Sequence, residues 1–258
     1  MIIPSLSLYW AALAYIGALV ALAAPGAPSR CLLLAFLGAG FVINSLVVAE
    51  RYLQAWPMLP MHLAPVLTPC ILAFLLMLRC CLRPLPEKIE RRVWQLGLTA
   101  MAVCLLAAQI FPKNFYLPFL RSESPFAHVM LLAGAGGRAC FLASMAWGVV
   151  FFAPAATEER GLCLRHSLRW AIWGFALWTL AMFSGEMWAY LGWGTPVIWH
   201  DPAILLMMAV WFLYIAFLHL HFSKLWGQHS RAAFAAVGGC TAVVLSLLAD
   251  FGPFRPFW

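Results

Sequence analysis

Residues 185–202 read Gly185-Glu186-Met187-Trp188-Ala189-Tyr190-Leu191-Gly192-Trp193-Gly194-Thr195-Pro196-Val197-Ile198-Trp199-His200-Asp201-Pro202. This stretch places three tryptophans and an aspartate between two long apolar segments, 168–190 and 202–223. Broad flat rings beside a few polar groups at a membrane boundary suit a large planar ligand better than the passage of a small ion. The stretch therefore predicts a hairpin between two helices, at about 185–202, that carries a ligand-binding surface.

Composition sets the class of protein around this hairpin. The chain is 65% hydrophobic and 10% charged, with a mean hydropathy of +0.90, and a soluble domain of 258 residues could not bury that much apolar surface. Apolar stretches of about 20 residues, enough to cross a bilayer, lie at 5–24, 31–50, 63–83, 93–112, 127–153, 168–190, 202–223 and 232–250. We expect an all-α polytopic membrane protein with about eight transmembrane helices, in one integral membrane domain covering 1–258. The first segment reads as a retained helix, not a signal peptide.

The basic residues predict the orientation. Eleven lie at one set of helix ends and four at the other: Arg30, Arg79, Arg83, Lys88, Arg91, Arg92, Arg160, Arg165, Arg169, Lys224 and Arg231, against Arg51, Lys113, Arg121 and Arg255. Lys/Arg-rich ends face the cytoplasm, so both termini and the hairpin are expected on the non-cytoplasmic side of a multi-pass bacterial inner (cytoplasmic) membrane protein. The net charge of +7 then reflects topology and contact with anionic lipid, not nucleic-acid binding.

The spacing of the hairpin matches a known pattern. A G-x-x-W-A-x-x-x-W-G run is followed by an Asp-Pro pair, then by Trp, Tyr and Leu-His positions on the next helix, here Gly185, Trp188, Ala189, Trp193, Gly194, Asp201, Pro202, Trp211, Tyr214, Leu218 and His219. This pattern resembles the tryptophan-rich "WWD" segment of the cytochrome c assembly proteins that handle haem, the CcsA, ResC and CcmC group. The resemblance covers roughly residues 50–250. It implies that Trp188, Trp193 and Trp199 pack on a haem, with Asp201 and His219 among the residues of the site.

The histidines and one arginine supply candidate haem contacts. His128 opens the fifth segment at the position of the family's first outward histidine, His62 opens the third on the same side, and His200 lies in the hairpin. Imidazole is a common axial ligand of haem iron, so His128 and His200 are the candidate metal ligands. Arg138 lies ten residues beyond His128, about 15 Å along a helix, as a partner for a haem propionate or as a structural residue.

The chain departs from the family pattern at several positions, two of which concern the haem ligands. His200 is inserted between Trp199 and Asp201, and no histidine follows the last apolar segment, where the family has its second outward ligand. The second ligand of a bound haem, haem b in this interpretation, would then be His200, His62, a methionine or none.

Three functional hypotheses follow from these residues. The first is a haem-handling cytochrome c biogenesis protein that holds or presents haem at the outer face, with an apocytochrome c as partner. The second is a repurposed family member that serves as integral subunit or assembly factor of a larger respiratory or photosynthetic complex. The third is a small-molecule transporter, indicated only by Arg138 and nearby glycines. The sequence contains neither a C-x-x-C pair nor a recognisable nucleophile–base pair, so we expect no classical enzyme, and a haem-lyase-type assembly activity at most.

Overall fold

The computed structural model describes residues 3–23, 30–57, 63–81, 87–110, 123–153, 157–197, 199, 201–223 and 225–248. Within these ranges the chain forms eight α-helices and no strand: α1 (Ile3–Ala23), α2 (Arg30–Ala55), α3 (Ala64–Cys81), α4 (Glu87–Ile110), α5 (Pro125–Phe151), α6 (Thr157–Trp193), α7 (Pro202–Phe222) and α8 (Gln228–Leu248). The predicted all-α class is confirmed. His62 and His200 lie outside the described residues.

Five of these helices are long and apolar enough to cross a membrane. The stretches are Cys31–Ala55, Lys88–Gln109, Pro125–Phe151, Ile204–Phe222 and Gln228–Leu247, and shorter apolar helices cover Leu8–Ala23 and Ala64–Arg79. Each of the five reaches about 28 Å or more at the helical rise of 1.5 Å per residue, close to the thickness of a bilayer core. The prediction of a polytopic membrane protein is confirmed. The side on which the termini lie stays a prediction.

Helix α6 is much longer than its apolar stretch. It has 37 residues and begins at Thr157, whereas hydropathy alone predicts 168–190. The additional turns carry charged residues, and Glu158 and Glu159 lie in the first turn, where carboxylates are favoured by the helix dipole. A helix of this length spans about 55 Å, against about 30 Å for a hydrocarbon core. The first turns of α6 therefore extend beyond the apolar layer.

The helices form two compact units. The first, Met1–Trp56 with Pro60–Tyr116, contains α1–α4, and the second, Pro57–Leu59 with Leu117–Trp258, contains α5–α8. In the first unit α1 and α3 each pack against both α2 and α4. In the second unit α5 packs against α6 and α8, and α7 packs against α6 and α8. That the chain forms a single membrane domain stays a prediction.

Helix α5 is the core of the second unit, because every residue from Ala133 to Ser144 is buried. Glycines allow its neighbours to approach closely. A Cβ at Gly148 would lie 2.8 Å from the Ala236 nitrogen of α8, and a Cβ at Gly239 of α8 would lie 2.6 Å from the Phe141 carbonyl oxygen of α5. Small residues at such positions are typical of packed membrane helices.

Two buried serines also join α5 to α6. The Ser144 hydroxyl donates to the Ser167 carbonyl oxygen at 2.9 Å, and the Ser167 hydroxyl donates to the Ser144 carbonyl oxygen at the same distance. Each hydroxyl thus bonds a backbone carbonyl of the facing helix, and both serines are buried away from solvent. This reciprocal pair fixes the register between α5 and α6, and with it the position of the far end of α6.

Candidate functional site

Backbone conformation and backbone hydrogen bonds define the two ends of the hairpin between α6 and α7. Helix α6 ends at Trp193 because Gly194 adopts a φ of 74°, a left-handed conformation that glycine accepts without steric strain. The Gly194 amide still donates to the Tyr190 carbonyl oxygen at 2.9 Å, which completes the last turn. On the other side, the Asp201 carbonyl oxygen accepts the amide of Leu205 at 3.2 Å, so Asp201 stands at the start of α7. The last turns of α6 therefore present Trp188 and Trp193, and Trp199 lies in the segment between α6 and α7.

Two of the three hairpin tryptophans contact each other. The rings of Trp188 and Trp193 lie edge to face, with centroids 5.5 Å apart and an interplanar angle of 77°. Trp193 is 46% exposed and Trp199 is 63% exposed, and Trp199 makes no ring contact with any residue that the structure describes. The structure thus brings together Trp188 and Trp193 and leaves much of the indole surface of Trp193 and Trp199 uncovered.

His128 lies at the same end of the second unit as these rings. A Cβ at Gly185 would lie 3.0 Å from the sulfur of Met130, so the first turns of α5 contact the last turns of α6. His128 precedes Met130 by two residues, and Trp188 follows Gly185 by three. The start of α5 and the tryptophan segment of α6 therefore lie at the same end of the second unit, and the role of His128 as a ligand stays a prediction.

A cap and a carbonyl hold His128 in place. The hydroxyl of Ser124 accepts the Phe126 amide at 3.4 Å, with Pro125 at the first helical position, so α5 starts sharply just before the histidine. The half-buried imidazole has its Nε2 3.1 Å from the Pro57 carbonyl oxygen. A carbonyl oxygen only accepts, so Nε2 is the donor in this pair.

Arg138 lies inside the second unit, facing protein. It is 8% exposed, and its Nε donates to the Ser246 hydroxyl of α8 at 2.8 Å. Its guanidinium carbon lies 5.3 Å from the ring centroid of Trp178 on α6, within the range of a cation–π interaction. The buried cation therefore contacts both helices that flank α5, as a charge far from water requires.

The remaining family positions lie in the helix packing of α6 and α7. The Trp211 indole nitrogen donates to the Thr179 hydroxyl at 3.0 Å, and the ring of Tyr214 stacks on Phe141 with centroids 3.9 Å apart. His219 is exposed in the last turn of α7. It follows Asp201 by 18 residues, about 27 Å along a helix. His219 and the hairpin therefore occupy opposite ends of the unit and cannot contact one haem iron together with His128.

The sequence did not predict the two residues that contact Arg138 beneath the hairpin end of the unit, Trp178 and Ser246. Trp178 is fully buried, donates its indole N–H to the Met207 carbonyl oxygen at 3.0 Å and receives the Arg138 guanidinium on its face. Ser246 is the hydrogen-bond acceptor for that arginine. A helical spacing signal existed for Trp178, which precedes Trp188 by ten residues, close to three turns. Nothing in the sequence pairs Ser246 with Arg138, 108 positions apart.

The fold and this end of the second unit define an all-helical polytopic membrane protein with a tryptophan-rich hairpin beside a histidine. The family described as "Cytochrome C assembly protein" matches residues 5–253, nearly the whole chain. The chain belongs to the cytochrome c assembly protein family, and the family predicted from the tryptophan spacing is confirmed.

Individual relatives match shorter parts of the chain. It is 39% identical over 82 residues to the cytochrome c biogenesis protein CcsA of Prochlorococcus marinus (strain MIT 9312), covering 32% of this chain and 26% of that protein. It is 38% identical over 65 residues to CcsA of Thermosynechococcus vestitus (strain NIES-2133 / IAM M-273 / BP-1), covering 25% of this chain and 20% of that protein. The matched region thus spans about a quarter of the length of these curated relatives.

A solved structure shares the fold. The chain named "Cytochrome c Heme Lyase CcmF" superposes with a TM-score of 0.65 at 17% sequence identity, covering 98% of this chain and 48% of that one. At this identity the likeness concerns the fold alone. The described helices of this chain therefore correspond in arrangement to about half of that larger protein.

Proposed function

We propose that this protein holds or presents haem at the non-cytoplasmic face of a bacterial inner membrane during cytochrome c assembly. The observation that carries the proposal is the common position of His128 and the exposed tryptophan rings at one end of the second unit. The family match over residues 5–253 supports a role in cytochrome c biogenesis. The distribution of basic residues supports the outward orientation of this end.

The chemistry of these residues fits a haem. The uncovered indole faces of Trp193 and Trp199 offer flat apolar surface for a macrocycle. An imidazole is a standard axial ligand of haem iron and requires no charged residue beside it. His128 would hold the iron of a bound haem through its imidazole, and its Nε2 is available once the hydrogen bond to Pro57 is released. Haem b is the form proposed, since the chain has no Cys-x-x-Cys-His sequence to attach haem to itself.

The role of the protein in this proposal is to bind and orient. Thioether formation between haem vinyl groups and the cysteines of an apocytochrome c is chemistry of the cofactor and the partner. The edge-to-face pair of Trp188 and Trp193 and the capped first turn of α5 are rigid supports that fix such an orientation. The exposed rings of the hairpin also suit contact with an apocytochrome, which we propose as the partner.

Arg138 takes a supporting part in this proposal. Its guanidinium is engaged by Ser246 and by the face of Trp178, about 15 Å from His128 along α5. We therefore assign to it the positioning of α6 and α8 around α5, instead of a direct bond to a haem propionate.

The test is the haem content of purified variants. We expect wild-type protein, expressed with ample haem, to show a Soret band, and His128→Ala to lose most of it. His229→Ala is the matched control, because that histidine is exposed and its ring centroid lies 5.3 Å from that of Phe151, at the opposite end of α5 from His128, and it should retain the wild-type spectrum. A colourless wild-type protein, or equal haem content in both variants, would contradict the proposal.

A further inference from the structure

The interior of the first unit contains polar side chains that make no hydrogen bond. Tyr15 on α1, Asn44 on α2 and Thr68 on α3 are all fully buried. The Tyr15 hydroxyl, both polar atoms of the Asn44 amide and the Thr68 hydroxyl have no hydrogen-bond partner among the residues that the structure describes. Buried polar groups are nearly always hydrogen-bonded in proteins, so four such atoms in one small helical unit need a physical explanation.

The packing of α1 and α3 on α2 brings Tyr15, Asn44 and two further polar side chains together. The Tyr15 hydroxyl lies within electrostatic range of the Asn44 amide and the Cys70 thiol, without forming a hydrogen bond of normal geometry. The Cys70 sulfur in turn lies 3.3 Å from the Ser45 hydroxyl. Residues of three helices therefore meet, and we name Tyr15, Asn44, Ser45 and Cys70 the first-unit polar cluster.

A glycine holds the tyrosine in this arrangement. A Cβ at Gly40 would lie 2.6 Å from Cε1 of Tyr15, so the ring lies flat against the bare backbone of α2. Gly40 is one helical turn before Asn44. The hydroxyl of Tyr15 is thereby directed along α2 toward the amide, and the approach depends on the absence of a side chain at position 40.

The chemistry of the cluster selects a neutral molecule. The sequence has no charged residue in α1, none in α2 between Arg30 and Glu50, and none in α3 before Arg79. Hydroxyl and amide groups both donate and accept. A small molecule that donates and accepts hydrogen bonds would satisfy these atoms, whereas an ion would be left without a counter-charge.

We propose that the first-unit polar cluster binds a small neutral hydrogen-bonding molecule between α1, α2 and α3, in its simplest form ordered water. Buried waters in proteins typically bond to about three otherwise unsatisfied polar groups, which is what Tyr15 and Asn44 present. Within a membrane-spanning unit bulk water does not reach such atoms. The bound molecule therefore belongs to the folded structure, and the site is independent of haem binding in the second unit.

X-ray radiolytic labelling of the full-length protein in lipid nanodiscs tests the site, since radicals formed from bound water label adjacent side chains. We expect Tyr15 to be labelled several times faster than Phe141, which is equally buried and has no polar side-chain atom. In Asn44→Leu the excess labelling of Tyr15 should disappear. Labelling of wild-type Tyr15 at the rate of Phe141, or an unchanged excess in Asn44→Leu, would overturn a water site.

A second measurement tests whether the cluster binds a small organic molecule instead of water. Native mass spectrometry of the same protein should then show a bound neutral species that is present in wild type and absent in Asn44→Leu, even where Tyr15 is not labelled. The thermal midpoint of Asn44→Leu distinguishes an occupied cluster from an empty one. An empty cluster predicts that Asn44→Leu is as stable as wild type or more stable, because an unsatisfied amide is removed. An unlabelled Tyr15, no bound species and a raised midpoint together reject the proposal.

Discussion

Arg138 of α5 and Ser246 of α8 are joined by a hydrogen bond of 2.8 Å from the guanidinium Nε to the serine hydroxyl oxygen. The same hydroxyl donates to the Val243 carbonyl oxygen at 3.0 Å, so its donor and acceptor functions are both used. The arginine is thus fixed from α8 on one side and by the Trp178 ring of α6 on another. This relationship explains how a cation is retained in the core of the second unit.

Removing the hydroxyl of Ser246 should destabilise the unit without altering its ligand content. Ser246→Ala leaves the buried Arg138 Nε without this acceptor, which costs about 1–3 kcal/mol for a buried polar group. The thermal midpoint in detergent should fall, while haem bound per folded protein stays at the wild-type value. Ser230→Ala is the control, since Ser230 is exposed on the same helix. Loss of haem with unchanged stability would instead indicate a direct role for Arg138 at the ligand.

Glycine substitutions should separate close helix contacts from open positions. Gly239→Ala should be strongly destabilising, because its Cβ would lie 2.6 Å from the Phe141 carbonyl oxygen, a backbone atom that cannot move alone. Gly38→Ala on α2 is the matched change, because nothing lies within 4 Å of its Cβ, and alanine favours a helix by about 0.8–1.0 kcal/mol over glycine. Unfolding curves should show opposite shifts. Equal tolerance of both variants would contradict the observed approach of α5 and α8.

Hydropathy and spacing predicted the helical class and the hairpin, since both depend on local patterns. The apolar stretch predicted the end of α6 at 190, three residues before Trp193, but missed its first turns, because charged residues such as Glu158 and Arg160 favour helix without favouring membrane. The long-range hydrogen-bond partners could not be predicted from the sequence. The bonds of Arg138 to Ser246 and of His128 to Pro57 join residues 108 and 71 positions apart, and no local pattern specifies such pairs.

The reciprocal serine pair should contribute measurably to the packing of α5 on α6. Each hydroxyl bonds the carbonyl oxygen of the other residue at 2.9 Å, so Ser144→Ala and Ser167→Ala each remove one bond. Interhelical hydrogen bonds in membranes contribute about 0.6 kcal/mol on average and up to about 1.7 kcal/mol. A double-mutant cycle on the free energy of unfolding should show non-additive losses, because the two hydroxyls also lie 3.2 Å apart. Strict additivity would mean that the two bonds act independently.

The exposed ring of Trp193 should matter for ligand retention and little for stability. It is 46% exposed and contacts Trp188 edge to face, so truncation leaves no large cavity, yet it removes flat apolar surface from the hairpin. We expect Trp193→Ala to release haem to an excess of apomyoglobin faster than wild type, with a similar thermal midpoint. Trp173→Ala is the matched control, because Trp173 is 59% exposed on the same helix, 20 residues away, about 30 Å at the helical rise. If both variants release haem at the wild-type rate, the hairpin rings do not hold the macrocycle, and His128 alone would have to account for any binding.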